Sequence, residues 1–308
     1  MIVAKENMIY HAFGLKIKST IPLPELVASN ESLDMAEVEI EIDELNELWL
    51  KKGEQGKFIV DHQMVMFQIP ETATFLIKDG KKIIVSPIKD SDDNKIRLFI
   101  LGTCMGALLM QRKVLALHGS AIAIDGKAYA FIGHSGAGKS TLASTFINQG
   151  YQLLSDDIIP VIIDKEGCPN VIPTYPQQKL WQESLQKFGF NSSAFSPLFE
   201  RETKFAIPVH SSYCNDPLPL GGVFEITKTE ENHAKIKSIQ NLERFHTLYN
   251  HTFRQSLIPR LGLMEWHFTE SAGIINKIKM YQVHRPSNVF TAPELLEKIL
   301  KMINEEMN

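Results

Sequence analysis

The stretch Gly133-His134-Ser135-Gly136-Ala137-Gly138-Lys139-Ser140-Thr141 satisfies the phosphate-loop pattern G-x-x-x-x-G-K-[ST] at every fixed position. No other feature narrows the fold as far. Glycines let backbone N–H groups curl around an anionic phosphate, because Gly takes positive φ at no steric cost. Lys139 would place an ammonium on the β- and γ-phosphates of ATP, and Ser140 would offer a hydroxyl to Mg²⁺. The loop needs a strand before it and a helix after it, since the helix N-terminus supplies free N–H groups and a favourable dipole. Both are expected here. Residues 128–132 are a short apolar run of strand type, residues 141–147 continue at helical spacing, and Gly150 stops that helix. The chain therefore reads as an α/β protein with a nucleotide cradle at 133–141.

Two further features carry chemistry. Asp156 and Asp157 close an apolar strand expected at 151–154, soon after the loop helix. Near a triphosphate, one carboxylate can hold Mg²⁺ together with Ser140, and the other can accept or orient the proton of an attacking hydroxyl. His118 ends an apolar strand expected at 114–117 and precedes Gly119. Taken alone, a histidine there is as well explained by packing as by catalysis.

The rest of the chain sets the frame. Residues 1–90 are β-rich. Residues 36–43 alternate apolar and acidic, and Asp79-Gly80 lies between two strand-like runs as a hairpin signal. An accessory β-domain over 1–90 and a nucleotide-binding domain over 91–308 are expected, divided at the polar stretch 90–94, where Asn94 could cap the next helix. Asp125-Gly126 signals a second hairpin, 242–257 reads as a helix, and 295–302 as an amphipathic C-terminal helix. The polar segment 191–203 is a surface loop or a lid. Arg201, Lys204, Arg254 and Arg260 are the cations available downstream to meet a transferred phosphoryl group.

Composition excludes other classes. A net charge of −4 argues against binding nucleic acid through bulk positive charge. Cys104, Cys168 and Cys214 are far apart and suggest neither a disulfide framework nor a zinc site, as expected of a reducing cytoplasm. The apolar run 98–110 is too short to span a bilayer and reads as a buried helix. No basic segment followed by an apolar stretch opens the chain, so no signal peptide is expected. Oligomeric state is open, a homo-oligomer included.

The phosphate loop, the Asp pair and the His-Gly step together resemble the catalytic domain of the HPr kinase/phosphorylase family, which relates to the phosphoenolpyruvate carboxykinase type of nucleotide-binding domain. The spacings agree: His118 lies fifteen residues before Gly133, and Asp156 seventeen after Lys139. More narrowly, the chain resembles the HPr-kinase-like kinases associated with lasso peptide biosynthesis. That resemblance rests on GLKIKS…IPLPEL, LGTCMGALLMQRKVLALHGSA, GHSGAGKSTLA, LLSDD and YPQQKLW. It implies an ATP- and Mg²⁺-dependent transfer of a phosphoryl group to a serine of a precursor peptide. In that scheme Lys139 binds phosphates, Ser140 and Asp157 hold Mg²⁺, Asp156 is the base, His118 positions the nucleophile, and Arg254, which falls in the resembling downstream region, is the cation that meets the transferred phosphoryl group. Two departures argue against HPr as acceptor and against reverse phosphorolysis. No LEVRGLG-like stretch follows the Asp pair, and His134 stands where those enzymes usually carry Asp.

Two alternatives accompany this reading. One is a kinase for a small hydroxylated metabolite. The other is a binding module that senses ATP without transferring it, which the presence of Asp156 and His118 disfavours, since a sensor needs no base. A transporter ATPase would carry an LSGGQ-type signature, and none is present.

Overall fold

The computed structural model describes residues 7–30, 32, 35–52, 58–187, 196–198 and 201–307; the side chains of 52, 196–198, 201–203, 306 and 307 lie outside that description. Two large sheets dominate. The first contains β1 (Met8–Ala12), β2 (Leu15–Ser19), β3 (Val27–Ser29), β4 (Val38–Ile42), β5 (Phe58–Asp61), β6 (Met64–Ile69), β7 (Ala73–Lys78) and β8 (Lys82–Pro87), with α1 (Asn46–Lys52) after β4. Their order is β3-β1-β2-β4-β8-β7-β6-β5. The pairs β2–β4 and β4–β8 are parallel and the others antiparallel. Alternation sets the faces: Val38 and Ile40 of β4 are buried, while Glu39 and Glu41 reach Lys18 and Lys82 at 3.0 and 2.7 Å. Asp79 and Gly80 both take left-handed φ, as a two-residue hairpin turn between β7 and β8 requires.

Residues 88–92, around the expected boundary, lead into α2 (Asp93–Phe99), a π-helical turn (Ile100–Cys104) and α3 (Met105–Gln111). The cap is Asp92 rather than Asn94: the Asp92 side chain accepts the Asn94 N–H at 2.7 Å. The expected buried helix over 98–110 is present. Its residues Ile96, Ile100, Met105 and Leu108 share one apolar cluster with Val65, Phe67, Phe75 and Ile77 of the first sheet. No helix among the described residues is long and apolar enough to cross a membrane.

The second half contains β9 (Leu115–Ile124), β10 (Lys127–Ile132), α4 (Lys139–Asn148), β11 (Gln152–Ile163), β12 (Pro169–Val171), β13 (Gln177–Trp181) and α5 (Gln182–Lys187). There follow β14 (Ser196–Leu198), β15 (Arg201–Pro208), β16 (Leu218–Thr229), β17 (Lys235–Ser238), α6 (Leu242–Asn250), α7 (Leu257–Arg260), α8 (Met264–Ile275), β18 (Lys279–Pro286) and α9 (Ala292–Met307). The second sheet runs β10-β9-β11-β12-β16-β18-β17, with β10 also paired to β16. The loop strand β10 is antiparallel to β9 and parallel to β16. One face of this sheet packs Phe131 and Phe224 on Phe146 of α4 and Leu295 and Ile299 of α9. The other packs Leu117, Ala130 and Ile159 on Leu248 of α6 and Ile274 of α8. Strands β13, β15 and β14 form a small third sheet.

Three local expectations differ. Residues 114–117 and 121–124 belong to one strand, so His118 lies inside β9 rather than at its end. Likewise β11 (Gln152–Ile163) is one strand, and the Asp pair sits mid-strand, just past a register shift between Leu153 and Ser155, with Asp157 at φ 80°. The helix expected over 242–257 stops at Asn250, because the next residues pair with β9: His118 N–H donates to the His251 carbonyl and Phe253 N–H to the Ala116 carbonyl, each at 2.7 Å.

Candidate active site

Strand β10 delivers the loop into α4 as the pattern demands. Gly133 and Gly138 take φ of 145° and 105°. A Cβ at Gly133 would lie 2.5 Å from the Ile226 carbonyl oxygen of neighbouring β16, so that position has room only for hydrogen. No side chain caps α4 at Gly138, which leaves the first-turn N–H groups for a phosphate. Lys139 Nζ donates to the carbonyls of Gly133 and His134 at 2.8 and 3.1 Å, within the loop it would leave on meeting a phosphate. Burial lowers the Lys139 pKa, against the opposing pull of Asp156 and then Asp157.

The two carboxylates face different partners. Asp156 is buried. Its Oδ1 accepts from Ser120 Oγ at 2.5 Å and Ser140 Oγ at 3.2 Å, and its Oδ2 accepts the Lys179 backbone N–H at 2.7 Å. Asp157, whose backbone takes φ 80°, lines the same cavity, and its Oδ2 receives Lys179 Nζ at 2.7 Å. Burial would raise the Asp157 pKa, but Lys179, then His118 and Lys204, outweigh it and hold this carboxyl far below the usual range. The same pairing, led by Asp157, outweighs the burial of Lys179 and keeps its ammonium charged. In this structure the Ser140 hydroxyl bonds Asp156, whereas the sequence resemblance pairs Ser140 with Asp157 as holders of Mg²⁺.

His118 lines the same cavity. Its Nδ1 lies 3.0 Å from the Asp157 carbonyl oxygen and 3.5 Å from Asp157 Oδ1. A carbonyl can only accept, so Nδ1 carries the proton and Nε2 keeps a lone pair. Burial lowers the His118 pKa, Asp157 opposes that, and Lys139 adds to it. The ring is therefore neutral at pH 7, and its contact with Asp157 is a hydrogen bond rather than an ion pair.

A cavity of about 720 Å³ joins these groups. The loop residues Ser135, Gly136, Gly138, Lys139, Ser140 and Thr141 line it, together with Asp156, Asp157 and Gly119. Gly133 and Ala137 support the loop from behind: Ala137 is buried, its N–H donates to the His134 carbonyl, and its own carbonyl accepts from Arg285. His134 places its ring 5.2 Å from that of His251, whose Nε2 lies 2.8 Å from Glu225 Oε1. Glu225 Oε2 accepts Gln282 at 2.8 Å. Burial would raise the Glu225 pKa, and the bonds from His251 and Gln282 bring it below its ordinary value.

The expected cations separate. Lys204 lines the cavity. Arg254 does not: its guanidinium donates to Thr103 Oγ1 at 2.6 Å, tying the 251–256 turn to the π-helical turn. Arg260 donates to the Phe58 carbonyl at 2.7 Å in the first sheet. The side chain of Arg201, and most of the 191–203 segment, lie outside the described residues. Sequence reasoning missed Lys228 and Arg285, brought near the loop by strand pairing, and Lys179, which reaches the Asp pair from β13 of the third sheet. Arg285 Nε donates to the Ala137 carbonyl at 2.6 Å, and its register partner across β16–β18 is Lys228. Nothing within 279–286 itself sets Arg285 apart; the pairing of β18 with β16 brings it to the loop.

Among the described residues no group of three or more His, Cys, Asp or Glu could hold a metal ion. The donors beside the loop are a hydroxyl and one carboxylate, hard oxygens that suit Mg²⁺ completed by phosphate and water.

No family model and no curated protein sequence matches the chain. Among solved structures, it is similar to the Hpr(Ser) kinase/phosphatase from Coxiella burnetii at 15% identity and a TM-score of 0.35, over 62% of this chain and 97% of that one. A likeness of that depth fixes neither activity nor substrate.

Proposed function

We propose that the chain is an ATP- and Mg²⁺-dependent kinase that transfers a phosphoryl group to a serine hydroxyl of a peptide. One observation carries the reading: a phosphate loop, a Ser140–Asp156 oxygen pair and a neutral His118 with a free Nε2 line or border a single cavity. A nucleotide store needs only the first of these.

Ser140 and Asp156 would hold Mg²⁺ beside the β- and γ-phosphates, and Mg²⁺ when bound offsets charge on the transferred group. Lys139 and Arg285 add fixed positive charge around the loop. The acceptor hydroxyl forms its bond to the γ-phosphorus as the bond to the β,γ-bridging oxygen breaks, and ADP leaves. His118 Nε2 takes the proton of that hydroxyl. Asp157, ionised and anchored by Lys179, orients His118 from behind. This departs from the roles implied by family resemblance, which made Asp156 the base and Asp157 the metal ligand.

The peptide acceptor, with its serine at the C-terminus of a lasso precursor, rests on the motif resemblance; the cavity supports it only by being open to a chain end. ATP as co-substrate makes the cytoplasm the expected location. The test is a mass measurement on full-length chain, Mg-ATP and a candidate precursor peptide. A gain of one phosphoryl group, lost when the acceptor serine is replaced by alanine, supports the proposal. Phosphorylation of a free sugar or nucleoside, with the peptide unmodified, favours the metabolite kinase. Tight ATP binding with no transfer to either favours the sensor.

A further inference from the structure

We propose that Phe290, with Lys187 beside it, forms the subsite for the base of the nucleoside triphosphate. This rests on the kinase reading above and adds the nucleoside end of the same cavity.

The orientation follows from the loop. In a phosphate loop the Lys reaches the β- and γ-phosphates and the backbone cradles the α- and β-phosphates. The γ end here is marked by Lys139, Asp156 and His118. The nucleoside must leave by the opposite end, past Thr141 and Leu142 in the first turn of α4. Two segments wall that end. Helix α5 is tied to α4 by the 2.8 Å hydrogen bond between Ser184 and Thr141 hydroxyls. The segment after β18 enters α9, whose Leu295 packs in the same apolar cluster as Leu142. Across the gap Lys187 Nζ stands 4.7 Å from the centre of the Phe290 ring.

That contact is what a base subsite needs. Phe290 is half-buried and lines the cavity, so its ring is held by the fold and meets the open space. An aromatic face stacks on any base. Lys187 is exposed and long, and can yield the ring face while keeping its ammonium nearby. Gln182 and Gln186, four apart on α5, also line the cavity with Asn288. Their amides each offer donors and an acceptor for the edge of a base. The acceptor end is built differently, from Lys204, Lys179 and the Asp pair, and would suit a heterocycle poorly.

Calorimetric titration of the full chain with Mg-ATP and with Mg-tripolyphosphate tests this. The wild type should bind ATP more tightly than tripolyphosphate. Phe290→Ala should weaken ATP by roughly tenfold or more, the scale of one base–aromatic stack, and leave tripolyphosphate unchanged. Phe290→Trp should retain the preference for ATP. Unchanged tripolyphosphate affinity also reports that the variant is folded. Equal loss of both ligands in Phe290→Ala, or no loss of either, overturns the subsite. So does a wild type that binds the two ligands equally, and in that case the phosphate loop still stands. A wild type that binds neither overturns the kinase reading and this inference together.

Discussion

Ser140 Oγ lies 3.2 Å from Asp156 Oδ1, while the next residue, Asp157, sends its carboxylate to Lys179 Nζ at 2.7 Å. Two acids adjacent in sequence and lining one cavity therefore hold different partners. The division predicts that they fail differently. Asp156→Asn should raise the Mg²⁺ concentration needed for half-maximal transfer by roughly 10–100-fold, the range seen when a metal's supporting ligands are lost. Asp157→Asn should leave that concentration alone and lower turnover. A Mg²⁺ titration of both variants decides, and a shift confined to Asp157→Asn would reverse the assignment.

In the proposed mechanism His118 sets an acid limit. Its pKa is lowered by burial, so the neutral base form persists below the ordinary histidine range. Turnover should be flat through neutrality and fall as pH drops through that depressed value, because the protonated ring cannot accept the hydroxyl proton. His118→Gln should lose about 10²–10⁴-fold in kcat and flatten the acid side of the profile. An acid limb that survives in the variant assigns the proton to another group.

Arg285 holds the loop from outside, donating to the carbonyls of Ala137 and Gly136 at 2.6 and 3.4 Å. Arg285→Ala should weaken ATP binding about tenfold, consistent with losing a charge-assisted bond of ~1.5 kcal/mol. Arg285→Lys should recover little, since a point charge cannot match a planar fork reaching two carbonyls. Full rescue by Lys, read by nucleotide titration, would mean that only the charge matters.

Gly106 sits in α3 directly under Phe253. A Cβ there would lie 2.4 Å from the Phe253 ring, which is itself buried and 5.8 Å from the His118 ring. Helix propensity alone favours Ala over Gly by ~1 kcal/mol. Overpacking costs ~1–3 kcal/mol and should win, because the ring has nowhere to move. Gly106→Ala should lower the melting temperature and also reduce turnover through His118. A higher melting temperature would show that the ring can yield.

His267 makes stability fall in acid. It is buried between Thr252 and Ser271, with its pKa pushed down to about 4 from 6.5 by burial. The Thr252 hydroxyl donates to the Leu248 carbonyl, so His267 Nε2 donates to Thr252 Oγ1. On acidification the unfolded chain takes up the proton first. The fold is undiminished above pH 6.5 and loses stability down to about pH 4, by at most ~3 kcal/mol at ~1.4 kcal/mol per pKa unit. Denaturant melts at pH 7 and pH 4.5 should show this loss, and His267→Asn should shrink it.

The local requirements of the site were written in the chain. Gly133 and Gly138 mark backbone positions that need positive φ, Lys139 and Ser140 follow at fixed spacing, and the hairpins at Asp79-Gly80 and Asp125-Gly126 announce themselves by turn chemistry. Such signals survive in sequence because they answer to sterics and hydrogen bonding within a few residues. What reaches the loop from elsewhere was not legible. Arg285 lies 148 residues beyond the Ala137 carbonyl it holds, and arrives because β18 pairs with β16, which pairs with β10. Arg254 carries the charge that a phosphoryl transfer would use, yet its guanidinium donates to Thr103, away from the cavity. Which groups meet Asp156 and Asp157 was decided by the left-handed backbone at Asp157 and by the approach of Lys179 on β13, which no single stretch of sequence contains.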